Sequence, residues 1–136
     1  MKVSRGDGVL VDYPYTDRTG SKVRPTLVVS TDELHQDDDA IIAAITSVIR
    51  VTLKSSELFI DVSKPDARGT GLLSDSIVDC WNVMTIDQRF ILRRLGRLSG
   101  GTMKKCRRVL EEGARDQVTA HLQWLPHLSP RGTIEV

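Results

Sequence analysis

Gly8-Val-Leu-Val-Asp-Tyr13, closed by Pro14, and Thr26-Leu-Val-Val-Ser-Thr31, rich in β-branched residues, read as two short strands. Between them lies Tyr15 to Lys22, a polar stretch with a turn at Gly20, too long for a tight hairpin. Loops of that kind are usually functional or mobile. Further on, Ala40-Ile-Ile-Ala-Ala-Ile-Thr-Ser47 is apolar on both faces, which suits a central buried strand ending in the hydroxyls Thr46 and Ser47. Asp32 to Asp39, ahead of it, is a polar connection with room for a short helical turn. Glu57-Leu-Phe-Ile-Asp-Val62 alternates like a half-exposed strand, and Pro65 to Gly71 is a loop. Ser76 to Cys80, Val83 to Ile86 and Arg94 to Ser99 read as further strands, with Asp87 capping a short turn.

One long helix follows. Thr102 is its expected N-cap, and Met103, Cys106, Leu110, Ala114 and Val118 step by three or four to make an apolar stripe. Gly113 lowers helix propensity by about 1 kcal/mol relative to Ala. From Trp124 the chain, with Pro126 and Pro130, reads as irregular. Strands first and the main helix last give an α+β class, mainly β: a small barrel or curled sheet with a packed C-terminal helix.

The 136 residues suit one domain, taken as 1–120, with 121–136 as a tail. Hydrophobic residues are 40% and charged residues 27%, ordinary for a soluble globular chain. The net charge of +1 speaks against a broadly basic nucleic-acid binder, but it hides a split. Residues 1–80 carry nine Lys/Arg against thirteen Asp/Glu, and residues 81–136 carry ten against five. Such asymmetry flags an anionic partner. Cys80 and Cys106 lack metal-type spacing and read as reduced thiols of a cytoplasmic protein. The longest apolar run, Ala40 to Ile45, is far short of the ~20 residues a membrane span needs.

The ordered segments Arg5 to Asp17, Gly20 to Ser30, Ile41 to Ser47, Asp75 to Cys80, Met84 to Asp87 and Leu95 to Leu98, with the following helix, resemble the MazF/PemK family of toxin endoribonucleases. The resemblance covers roughly residues 5 to 118. It implies a small SH3-like β-barrel with short appended helices, assembled as a homodimer. It further implies the toxin component of a type II toxin–antitoxin system. Such a toxin cleaves single-stranded RNA, usually mRNA, at short sequence sites without a metal or other cofactor. Attack by the 2′-OH leaves a 2′,3′-cyclic phosphate and a 5′-OH end. The implied partner is an antitoxin whose acidic flexible segment covers the RNA groove.

On this resemblance the catalytic residues are Arg24 and Thr46. Attack places extra negative charge on phosphorus, and a guanidinium meets two phosphate oxygens at once. Arg24 is therefore expected to stabilise the transition state, and Thr46 to orient the 2′-OH or a phosphate oxygen. Asp17, Thr19, Gly20, Ser21, Pro25, Ser47, Trp81 and Asn82 are the expected RNA contacts, Trp81 by stacking on a base. Each has a plainer reading, as loop, edge-of-core or dimer residue. Some family members carry an Arg and an Asp where this chain has Asp79 and Trp81, which aligns it with the Arg/Thr branch. A groove-facing Asp79 would repel phosphate. His35, His121 and His127 share no spacing, so a two-histidine ribonuclease is not expected, and the Asp37–Asp39 run reads as a solvated loop rather than a metal site. Alternatives are a gyrase poison of the same fold, which would need a Trp-bearing C-terminal anchor, or an inactive interaction module.

Overall fold

The alternation read from the sequence resolves, among the described residues, into six strands. The computed structural model describes residues 2–14, 21–49 and 52–124, with side chains described at 2–12, 22–49 and 52–112. The strands are β1 (Asp7–Pro14), β2 (Ser21–Val28), β3 (Asp39–Thr46), β4 (Glu57–Ile60), β5 (Ser76–Asp87) and β6 (Ile91–Arg97). A short helix α1 (Asp32–His35) lies in the polar connection, and α2 (Gly100–Trp124) is the last element among the described residues. All pairings are antiparallel, and the order across the sheet is β4-β5-β3-β2-β1-β6.

The continuous apolar run of β3 has a direct cause, since both faces of the sheet are covered. Ala43 and Ile45 join Leu27, Val29, Val78 and Cys80 on the face where Cys106 of α2 is buried and Met103, Val109 and Leu110 pack. Ala40 and Ile42 join Val3, Val9, Val11, Val28, Ile86 and Ile91 on the other. The two sets follow the period-2 alternation of a strand.

The expected SH3-like barrel is not closed. β4 and β6 are the sheet edges, each with a single strand partner. The reason lies in the loop after β4. The Gly69 carbonyl accepts from the Arg97 N–H at 2.7 Å, so irregular backbone lies against β6 where a closing strand would have to pair. Glycines permit the approach. A Cβ on Gly96 would overlap the Gly69 carbonyl oxygen and stand 2.5 Å from the Thr70 carbonyl carbon. Gly71, at φ +75°, lies against the Leu95 carbonyl in the same way.

Two local expectations shift. Ser99, not Thr102, caps α2: its Oγ accepts from the Thr102 N–H at 3.2 Å, the N-cap to N3 geometry. The two short strands expected over 76–86 are one strand, β5. Ala43 and Ala44 of β3 pair with Val83 and Asp79, so Cys80, Trp81 and Asn82 form a bulge in β5. Asp87 caps the following turn as expected, accepting from the Arg89 N–H at 2.9 Å. Ala114, Val118 and the segment beyond Trp124 lie outside the described side chains.

Two buried polar features tie distant segments. Asp7 is fully buried; its Oδ2 accepts from the Ser4 N–H at 2.9 Å and lies 3.7 Å from Arg94 Nη1, while its Oδ1 lies 3.7 Å from Arg97 Nη1. Cys80 and Cys106 are free thiols with sulfurs 3.7 Å apart, joining β5 to α2. Their hydrogen bond, followed by burial, pushes the Cys80 thiol up, and the same bond pulls Cys106 down.

Candidate active site

The sequence Arg24-Pro25-Thr26 determines what happens between β2 and β3. Their ladder runs Val28↔Ile42, Leu27↔Ala43, Thr26↔Ala44 and stops. Val29 N–H donates to the Ile41 carbonyl at 2.9 Å, so the odd residues of β2 present their backbone groups to β3. Pro25 is the next odd residue below Leu27 and has no N–H to donate. Beyond it β2 stays with β1 as far as Pro14↔Ser21, and β3 stays with β5 as far as Thr46↔Ile77.

Arg24 and Thr46 sit at that break. Each lies two residues beyond the last pair, Thr26↔Ala44, on its own strand. Side chains two apart share a face, so both belong to the face of Thr26, Ala44 and Ile42, opposite α2. Arg24 pairs with Val11, is exposed, and has no carboxylate partner among the described residues. Thr46 is half-buried, and its Oγ1 accepts from the Val48 N–H at 3.1 Å. That bond turns the chain at the strand end and uses the hydroxyl oxygen as an acceptor, with its O–H remaining a donor.

The other expected site residues scatter. Ser47 is exposed beside Thr46, and Pro25 is half-buried beside Arg24. Asp17, Thr19 and Gly20 lie outside the described residues, and of Ser21 only the backbone, in β2, is described. Asn82 is exposed on the β5 bulge. Trp81 packs into the cluster beneath α2, on the other side of the sheet from Thr46. Asp79, by contrast, pairs with Ala44 and so shares the face of Thr46. Opposite it stands Glu57, a buried carboxylate that sequence reasoning did not single out. Its alternation with Phe59 was visible, but its strand partner was not.

The histidine that is described plays a structural part. His35 is buried, with Nε2 2.6 Å from Ser30 Oγ, and Ser30 Oγ also accepts from the Ile41 N–H. It lines a cleft of about 950 Å³ with Lys2, Asp32, Gln36 and Arg89. That cleft lies at the Asp39 end of β3, about 23 Å from Thr46 at a strand rise of about 3.3 Å per residue. Among the described residues no cluster of three His, Cys, Asp or Glu side chains is placed to hold a metal ion. Nor is any described helix long and apolar enough to cross a membrane.

The described residues form a small α+β protein with an exposed guanidinium and a half-buried hydroxyl on adjoining strands, on one face of an open antiparallel sheet; a guanidinium is a group that can meet two phosphate oxygens at once. Comparison with known proteins makes this specific. Residues 4–113 match the model of the PemK-like, MazF-like toxins of type II toxin–antitoxin systems, and the chain belongs to that family of toxin endoribonucleases. Solved structures agree in fold. A mycobacterial endoribonuclease in complex with its cognate antitoxin is 19% identical, with a TM-score of 0.65 over 83% of this chain and 95% of that one. The MazF of a MazE–MazF structure from Deinococcus radiodurans is 16% identical, with a TM-score of 0.65 over 82% and 95%. The Mycobacterium tuberculosis toxin MazF-mt6 is 20% identical, with a TM-score of 0.59 over 79% and 96%. No protein of curated function matches the chain by sequence.

Proposed function

We propose that this toxin cleaves single-stranded RNA, mRNA in the cell, at short sequence sites by metal-independent attack of the 2′-OH. The products are a 2′,3′-cyclic phosphate and a 5′-OH end. The observation that carries this reading is the placement of Arg24 and Thr46 on one face, two residues past the pair where Pro25 ends the β2–β3 ladder. Phosphorus gains negative charge on attack, and Arg24, exposed and not ion-paired to any described carboxylate, meets the equatorial oxygens. A guanidinium is a poor proton donor, so its part is to stabilise charge in the transition state. The Thr46 O–H orients the nucleophile or a phosphate oxygen. Requirement for the 2′-OH selects RNA over DNA.

The same reading makes the protein a cytoplasmic homodimer held inactive by an antitoxin with an acidic segment, whose carboxylates would take the place of phosphate at Arg24. Cleavage of a mixed RNA population in EDTA, with mapping of 5′-OH ends, is the test. Arg24→Ala should slow cleavage about 10²–10³-fold, the usual loss for one transition-state donor. Undiminished cutting by that variant, or no cutting by the native chain, refutes the reading.

A further inference from the structure

Neither proposed catalytic residue can take the proton that the 2′-OH must lose. A guanidinium has no acceptor, and a threonine hydroxyl is a weak base. The strand register places a carboxylate beside them. Ile77 pairs with Thr46, and Asp79, two residues on along β5, pairs with Ala44. Asp79 therefore stands diagonally across from Thr46 on the same face, and such neighbours lie about 7–8 Å apart, within reach of a substrate group held between them. The other two corners of that same-face quartet are the methyl of Ala44 and the buried Ile77. The carboxylate is half-buried and steadied at one oxygen, where Asp79 Oδ1 accepts from the Trp81 N–H at 3.2 Å. Glu57, directly opposite Asp79, is one strand further from Thr46, and its Oε1 accepts from the Lys54 N–H at 2.8 Å.

We propose that Asp79 is the general base of the cleavage, a catalytic residue that accepts the 2′-OH proton. This rests on the endoribonuclease reading above. The 2′ oxygen forms its bond to phosphorus as its proton passes to Asp79. The bond from phosphorus to the 5′ oxygen breaks with its electron pair, and that oxygen takes a proton from water. Asp79 then returns its proton to solvent, which restores the starting charge. The negative charge beside the groove, which at first sight opposes phosphate, is neutralised at the moment the phosphorane gains its charge.

The experiment uses the full chain and an RNA oligonucleotide that the native protein cuts. Asp79→Asn, Asp79→Glu and Asp79→Ala are compared with Arg24→Ala for kcat, KM and melting temperature, and Asp79→Ala is assayed with added formate. Asp79→Asn should lose about 10²–10⁴-fold in kcat with KM nearly unchanged, the range for a general base. Asp79→Glu should retain part of the rate, and formate should restore part of it to Asp79→Ala in proportion to its concentration. A structural role would lower the melting temperature and show no formate rescue, which overturns the proposal. Native kcat in Asp79→Asn with cleavage lost in Arg24→Ala overturns it while the endoribonuclease reading stands. A native protein that cuts no RNA removes both.

Discussion

Replacing Gly96 by alanine probes the seam that takes the place of barrel closure. The added Cβ overlaps the Gly69 carbonyl oxygen and meets the Thr70 carbonyl carbon at 2.5 Å, so backbone has to move. Overpacking of this kind costs about 1–3 kcal/mol. Moving β6 from the loop also endangers the 2.7 Å bond from the Arg97 N–H to the Gly69 carbonyl, worth about 0.5–1.5 kcal/mol net. Loss of a glycine's unfolded-state freedom returns about 0.4–1 kcal/mol. The net expectation is a destabilisation of about 2–3 kcal/mol, or roughly 8–12 °C in Tm for a domain of this size. Urea melts read by circular dichroism measure it. Gly100→Ala is the control, because open space surrounds a Cβ there. A Gly96→Ala protein that melts with the native one would show that β6 and the 69–71 loop are not in contact.

Three further outcomes follow from buried and capping groups. Asp7→Ala should cost about 1–3 kcal/mol by stranding the Ser4 N–H, and Asp7→Asn less, as read by urea midpoint. Ser99→Ala should lower stability by about 1 kcal/mol and Ser99→Gly by only a few tenths, because the α2 cap loses its acceptor. The Asp61 carboxyl is held below its usual range by bonds from the Ser63 hydroxyl and N–H. A depressed folded value stabilises above the ordinary carboxylate range and is lost as pH falls through it, so any difference between native and Asp61→Asn melts should vanish in acid.

The strands were legible because period-2 patterning survives without partners. Ala40–Ile45 announced a strand covered on both faces, and it lies between β5 and β2. What depends on pairing was not legible. Cys80–Asn82 carries no Gly or Pro, so its bulge appears only when Ala43 and Ala44 are seen to pair with Val83 and Asp79. Thr102 and Ser99 are both capping residues three apart, and the glycines between them, poor helix formers, drew the start of α2 too late. Barrel closure failed as an expectation because it depends on the irregular 69–71 backbone, where no periodicity exists. At the site, the separation of Arg24 and Thr46 in sequence said nothing of their shared face. That follows from the register Thr26↔Ala44, and the part of Pro25 in ending the ladder follows from which backbone groups face β3.

Buried Asp7 also governs how the chain meets a polyanion. It belongs to the acidic first stretch of the sequence, and Arg94 and Arg97 to the basic remainder, yet folding sets both guanidinium groups 3.7 Å from its carboxylate. A cation already facing a buried anion releases fewer counterions from RNA than a free one, where each phosphate contact on a single strand contributes about 0.7 to the slope of log affinity against log salt. On the proposed reading, the ionic-strength dependence of RNA binding is expected to be that of a few placed cations such as Arg24, smaller than the formal excess of the second half of the chain would give.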